Sequence, residues 1–334
     1  ATVRQLAAAR RQLSDAKRDA DQANEANERA QRELALMLKL DDGRDREPPA
    51  WTRKTPKAGK KHGTPWLLLS DLHLDEVVQP AEIGGVNAYN RKIAEHRLQA
   101  TFTNAVDICR TYWSGIEYDG IVCALGGDNY SGDIHDELTQ TNEDTILGSI
   151  LHWTDRMASG IAMLADEFGK VHVPVVVGNH SRRSRKPRSK FRARDNFDWF
   201  TGHLLARQFA HDKRVTFDVA ESADTTVDAY NRKVCLTHGD QTRGGGGIGG
   251  IWPPLMRLDA RKRQRANAIG QPYDLLVMGH WHQLTWGPSF IVNGSLKGYD
   301  EYAKMGGFGY EPPRQALAIV TPERGIVQQM PVYA

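Results

Sequence analysis

The chain has 334 residues, with 44 Lys and Arg against 41 Asp and Glu, a formal net charge of +3. That length fits one large domain, or a domain with an extension, and the near balance of charge excludes polyanion binding by bulk charge, leaving local clusters. No apolar run approaches the ~20 residues of a membrane span, no signal peptide is visible in the sequence, and Cys109, Cys123 and Cys235 lack metal-site spacing; Cys123 and Cys235 lie inside predicted strands and read as core thiols in a reducing, cytoplasmic compartment.

Residues 1 to 40 contain no Pro or Gly. Leu6, Leu13, Ala20, Asn27 and Leu34 recur every seven residues, and Ala9, Ala16, Ala23, Ala30 and Met37 follow three positions behind. This is the a/d seam of a coiled-coil helix over about five heptads. A seam that narrow suits helix pairing better than core packing, so self-association or capture of a partner helix is expected. A single exposed helix packed on its own domain is the alternative. Residues 41 to 64 read as a charged, Pro-containing linker. Its Arg53, Lys54 and the run Lys57 to Lys61 form a solvated tether or touch phosphates. The main domain is expected over 65 to 334.

Trp66 to Glu76 reads Trp-Leu-Leu-Leu-Ser-Asp-Leu-His-Leu-Asp-Glu. The apolar run predicts a strand buried on both faces. It ends at Asp71 and His73, which point the same way if the chain stays extended. A helix is predicted from Tyr89 to about Tyr112. The next strand, from Asp119, ends in Gly-Gly-Asp128-Asn129. His135 and Asp136 follow it and either orient the groups around Asp128, the preferred reading, or start a helix. A second amphipathic helix spans Thr141 to Phe168, with Ile146, Ile150, Leu151, Met157, Ile161 and Leu164 on its apolar face. The strand from Val171 ends in Gly-Asn179-His180. Strand and helix thus alternate, the α/β signal, and ligands in such sheets gather at the carboxyl edge.

Directly after His180 comes the densest positive run, Ser-Arg-Arg-Ser-Arg-Lys-Pro-Arg-Ser-Lys-Phe-Arg-Ala-Arg. Its place predicts that Arg182, Arg183, Arg185, Lys186 and Arg188 bind phosphate. A mobile surface loop is the plainer reading. Phe191 is a candidate for base stacking, while Phe197, Trp199 and Phe200 are expected on a helix's core face. Short strands are predicted at 215–220, 225–230 and 234–237, the last ending in His238-Gly-Asp240. The glycines from Gly244 to Gly250, after Arg243, suit phosphate contact or a flexible lid. A helix over 254–268 carries Arg257, Arg261, Lys262, Arg263 and Arg265. The strand from Asp274 ends in Gly-His280-Trp-His282. Ile291 to Ser295 is another strand and turn, Tyr299 to Pro313 is a candidate cleft lining, and 316–320 and 325–332 are closing strands.

Five buried strands ending in carboxylate, amide or imidazole groups, in this order, resemble the calcineurin-like metallophosphoesterase family. The motifs are Asp71-x-His73, Gly-Asp128, Gly-Asn179-His180, His238 and Gly-His280-x-His282, and the resemblance covers residues 64 to 334. It implies an α/β, four-layer αββα sandwich with a dinuclear metal site at the strand ends. Asp71, His73, Asp128 and His282 would hold one metal, and Asp128, Asn179, His238 and His280 the other, with Asp128 bridging. His180 would sit beside the scissile phosphate without binding metal. Many members carry a second acid shortly after Gly-Asp, where this chain has Asn129-Tyr130-Ser131.

Carboxylate, imidazole and amide donors without thiolate suit two divalent ions, Mn²⁺ first, with Fe or Zn²⁺ compatible. The expected activity is phosphodiester hydrolysis in nucleic acid by a metal-bridging hydroxide, with Asp128 and His180 catalytic and Arg243 joining the phosphate-binding residues. A likeness to break-repair nucleases and phage-encoded phosphoesterases implies DNA binding and a viral origin, hence a host cytoplasm. The alternatives are a phosphatase or phosphodiesterase for small nucleotides or phosphoproteins, and a coiled-coil scaffold with a structural metal site.

Overall fold

The computed structural model describes residues 61–334 apart from Asn231 and 245–247, together with nine residues between Lys17 and Gln31. Those nine are helical and exposed. They include Ala20 and Asn27 of the heptad seam; Leu6, Leu13, Leu34 and the whole alanine-and-Met37 row lie outside the described residues, as does 41–60 of the expected linker.

The first half runs β1 (Lys61–Leu69), α1 (Arg91–Asp107), β2 (Ile116–Tyr118), β3 (Ile121–Leu125), α2 (Asp136–Thr141), α3 (Ile146–Phe168), β4 (Val171–Val175) and α4 (Phe197–Gln208). The second half runs β5 (Val215–Val219), β6 (Asp224–Ala229), β7 (Arg232–Thr237), α5 (Trp252–Ala268), β8 (Leu275–Met278), β9 (Thr285–Trp286), β10 (Phe290–Val292), α6 (Glu301–Met305), β11 (Arg314–Thr321) and β12 (Gly325–Tyr333).

One sheet has the order β12-β11-β1-β3-β4-β5, with β2 on β1. Within it β1, β3, β4 and β5 are parallel, and β11 and β12 close one side antiparallel. The other has the order β6-β7-β8-β10-β9, with β7, β8 and β10 parallel.

Side-chain alternation sorts these sheets into layers. From β1, Leu67 and Leu69 join Phe102 of α1 and Trp153, Met157 and Ile161 of α3 in one core. The intervening Trp66 and Leu68 pack, with Val122, Ala124, Ala316 and Ala318, against Val234, Leu236, Val277 and Ile291 of the other sheet. That sheet's far side, Cys235, Leu276, Met278, Phe290 and Val292, meets Leu255 and Leu258 of α5. The order is therefore helix, sheet, sheet, helix. The central strands β1 (over Trp66 to Leu69), β3, β8 and β10 are buried on both faces, which is why their sequences are continuously apolar.

Local details correct the sequence reading. β1 starts at Lys61, inside the expected linker, because its first residues pair with β2. The first helix begins after Asn90, whose side chain accepts from Ile93 N at 2.9 Å, and gives way to a π turn over Ile108–Tyr112. The second divides into α2 and α3, and its Leu151 is 75 % exposed. On α4 the buried residues are Asp198, Thr201, Gly202 and Leu205, and Phe197 packs against the core as expected, while Phe200 faces outward. All three cysteines are buried and free. Among the described residues no helix is long and apolar enough to cross a membrane.

Candidate metal centre

All seven residues expected to hold metal follow the carboxyl ends of parallel strands. Asp71 and His73 follow β1, Asp128 follows β3, Asn179 follows β4, His238 follows β7, and His280 and His282 follow β8. Five of them have left-handed backbones: Asp71 (φ 53°), His73 (47°), Asp128 (53°), His280 (71°) and His282 (53°). That region costs a non-glycine residue roughly 1–2 kcal/mol, and such strain gathers where function needs it. It also corrects the expectation for Asp71 and His73. β1 stops at Leu69, so two successive left-handed turns, not the strand pleat, bring the two side chains to one place.

The side chains form overlapping groups whose ligand atoms lie within 4.8 Å of one another: Asp71, His73 and His282; His73, Asp128 and His180; Asp128, His238 and His280. In the first, His73 Nε2 lies 3.1 Å from His282 Nε2, which is 3.3 Å from Asp71 Oδ1. In the last, His238 Nε2 lies 2.9 Å from Asp128 Oδ2 and 3.2 Å from Asn179 Oδ1. Asp128 belongs to two groups at once. His180 reaches this carboxylate through its backbone, donating N–H to Asp128 Oδ1 at 2.6 Å.

Carbonyl partners fix the tautomers, because a carbonyl only accepts. His238 Nδ1–H donates to Gly126 O at 2.9 Å, and His180 Nδ1–H donates to Ser131 O at 3.0 Å. His73 Nδ1 sits 3.0 Å from Glu76 Oε2. In each ring, Nε2 is left for the centre. Burial and the charge of Lys297 hold His73 down to about 4, and burial with the neighbouring His238 holds His280 down to about 4. Both are therefore neutral donors near pH 7. Burial opposes protonation of His238 too, but the charge and hydrogen bond of Asp128 raise it to about 10. Burial pushes Asp71 and Asp128 upward, yet His282 outweighs it at Asp71 and His238 at Asp128, and both end below the usual carboxylate range.

These donors fit divalent cations. They are hard or borderline ligands, they converge, and backbone has been cleared around them. A Cβ on Gly178 would collide with the Asp128 carboxylate, and one on Gly279 with the Asp71 carboxylate.

Supporting residues that sequence reasoning missed complete the centre. Asp198 accepts from Asp128 N (3.0 Å), Asn129 N (3.1 Å), Asn129 Nδ2 (2.8 Å) and Gly178 N (2.9 Å), tying the loops after β3 and β4 together. Ser70 donates to Asp71 Oδ2 at 2.6 Å and accepts from Asn293 Nδ2 at 2.9 Å. Glu76, which orients His73, pairs with buried Lys297 at 2.7 Å, and Lys297 also meets Asp300 at 2.6 Å. Burial alone would raise Glu76 and lower Lys297; each holds the other charged instead.

The basic residues fare differently. Arg182 donates to the carbonyls of Ser184, Asn179 and Arg185, each at 2.8 Å. Arg183 meets Asp195 at 3.2 Å, Arg188 reaches the same carboxylate at 3.9 Å, and Arg185 pairs with Asp136. Lys186 and Arg243 are exposed. On α5, Lys262 pairs with Asp224 at 2.6 Å and Arg263 with Asp259 at 2.9 Å, so that patch is partly internal. His135 is exposed, with its ring 5.5 Å from that of His180, while Asp136 lies on the surface.

No protein-family model matches the chain, and no curated protein matches it. Among solved structures, a predicted phosphoesterase from Streptococcus pneumoniae is 11% identical over 80% of this chain and 98% of that one, with a TM-score of 0.29. Vps29 of Entamoeba histolytica, complexed with Zn²⁺, is 13% identical over 80% of this chain and 99% of its own, with a TM-score of 0.30. The sulfate thiohydrolase SoxB of Thermus thermophilus is 12% identical over 84% of this chain and 58% of its own, with a TM-score of 0.32. Likenesses of this size carry no argument about chemistry, which rests on the residues themselves.

Proposed function

We propose that the chain is a metal-dependent phosphoesterase of the calcineurin-like class that hydrolyses phosphodiester bonds in nucleic acid. The supporting observation is the shared carboxylate: Asp128 groups with His73 and His180 on one side and with His238 and His280 on the other, and His73 links the first of these to Asp71 and His282. Asp71, His73, Asp128 and His282 would hold one divalent ion, and Asp128, Asn179, His238 and His280 the other, with Mn²⁺ the first candidate. Such ions supply Lewis acidity, acidifying water and neutralising phosphoryl charge.

The remaining work falls to the chain. Buried Glu76 keeps the His73 ring turned so that Nε2 faces the centre. Asp198 holds the Asp128 loop in register. His180 is the general acid. Burial lowers its proton affinity at rest, and a phosphodiester anion entering beside it restores that affinity. Its Nε2 then carries a proton to the leaving oxygen.

The test incubates the full chain with Mn²⁺ and either DNA or bis(p-nitrophenyl) phosphate. His180→Asn is expected to keep its metal but lose about 10²–10⁴-fold in turnover, and Asp128→Asn to lose metal. Unchanged turnover in His180→Asn would remove the acid role, and full metal content in Asp128→Asn would remove the bridge. One observation favours a second reading, a phosphodiesterase for small nucleotides or phosphoproteins: much of the basic run is already paired with acids or carbonyls. Hydrolysis of the small diester without cleavage of DNA would select it.

A further inference from the structure

The loop between His180 and α4 is pinned beside the centre at two places. Arg182 grips the carbonyl of Asn179 at 2.8 Å. Arg192 forks onto both oxygens of Asp240, each at 2.7 Å, two positions after His238. Ser181 O accepts from Phe197 N at 2.8 Å and closes the base. Between the pins, Phe191 stands 76 % exposed on a left-handed backbone of φ 56°, immediately before Arg192. It lines an open hollow of about 700 Å³ with Arg188, Ser189, Lys190, Arg194 and Asp195.

An aromatic side chain displayed to water beside three cations has no packing role. Arg194 meets Glu221 at 2.7 Å and Arg188 meets Asp195 at 3.9 Å, but both arginines are exposed. Exposed pairs hold weakly and exchange readily for phosphate. Lys190 forms no ion pair among the described residues. Cations around a bare ring complement a strand that carries phosphates and offers an unstacked base. A duplex keeps its bases stacked and offers the ring nothing.

We infer that the Phe191 hollow is a stacking exosite that holds an unpaired base of single-stranded nucleic acid next to the metal centre. The inference rests on the nucleic-acid reading above and narrows its substrate to unpaired strands. Because every base has a π-face, the exosite would discriminate by strandedness and not by sequence.

The test measures anisotropy of a labelled, cleavage-resistant phosphorothioate oligo(dT), and of a duplex of equal length, on the full Mn²⁺-loaded chain. Phe191→Ala is expected to weaken single-strand binding about tenfold, Phe191→Trp to restore it, and neither to change duplex affinity or turnover of bis(p-nitrophenyl) phosphate. Single-strand affinity unchanged in Phe191→Ala, or an equal loss on the duplex, overturns the exosite. If Phe191→Ala loses strand affinity while the wild type never cuts DNA, the exosite stands and the nuclease reading falls. If DNA is cut and Phe191→Ala binds as the wild type does, the nuclease reading stands and the exosite falls.

Discussion

His238 carries the proton that a cation would replace. Its Nδ1–H is committed to Gly126 O, and its Nε2 faces Asp128 and Asn179. Without a cation it is protonated up to about 10, while His73 and His280 stay neutral down to about 4. An unfolded histidine titrates near ~6.5. The raised His238 therefore contributes stability that is complete below that value and lost as pH rises through about 10. The depressed His73 and His280 contribute stability that is complete above it and lost as pH falls through about 4. Asp71 and Asp128, both lowered, extend the acid loss. In chelator, the urea midpoint is expected to peak near neutrality and fall on both sides. Adding Mn²⁺ should remove the alkaline decline, since the cation displaces the proton, and His238→Gln should remove it without metal. An alkaline limb unchanged by either would show that His238 is not the proton's seat.

At the scale of the element, the glycines that end the strands let carboxylates lie against backbone. Gly279, after β8, has the Asp71 carboxylate and Ser70 where a side chain would go. Gly279→Ala is expected to cost about 1–3 kcal/mol from overpacking and to lower turnover by about 10²-fold through displacement of Asp71. Gly309→Ala, where the added methyl meets nothing within 4 Å, is the control. Denaturation midpoints and metal content read both effects, and equal behaviour of the two variants would remove the argument. These strand ends were legible in the sequence, because a strand covered on both faces must be apolar and must stop where donors begin. Their local geometry was not. The left-handed turns at Asp71 and His73 leave no mark in residue type. Asp198 carried no signal because its four donors come from loops formed up to 70 positions earlier. Lys297 lies 221 positions from its partner Glu76. The basic run was visible as charge, yet its acids, Asp136, Asp195, Asp240 and Glu221, are dispersed along the chain.

Over the whole molecule, the α/β class was legible from alternating strands and helices and the four layers only through the family resemblance, while the coiled-coil reading of residues 1 to 40 lies largely outside the described residues. The net charge of +3 gives no long-range pull on a polyanion. Binding to a single strand then depends on the few cations that remain available, Lys186, Lys190, Arg188 and Arg243 among them. A slope of log affinity against log salt of about −2 to −3 is expected, roughly −0.7 for each phosphate met. Turnover of the small diester should barely respond to salt. A slope near zero for DNA would remove nucleic acid as the substrate.

The centre also joins the two sheets, and it does so late. Asp71, Asp128 and Asn179 belong to one sheet and His238, His280 and His282 to the other, so that Asp71 accepts from a backbone N–H 209 positions further on. A ribosome completes the first group long before it makes β8. Through most of synthesis the strands of the first sheet carry solvated carboxylates and an uncovered face of Trp66, Leu68, Val122 and Ala124. β11, which pairs along β1, emerges later still. A nascent chain stalled before Asp224, where β6 begins, thus has an adhesive apolar sheet with no second sheet to cover it, the form most in need of a chaperone.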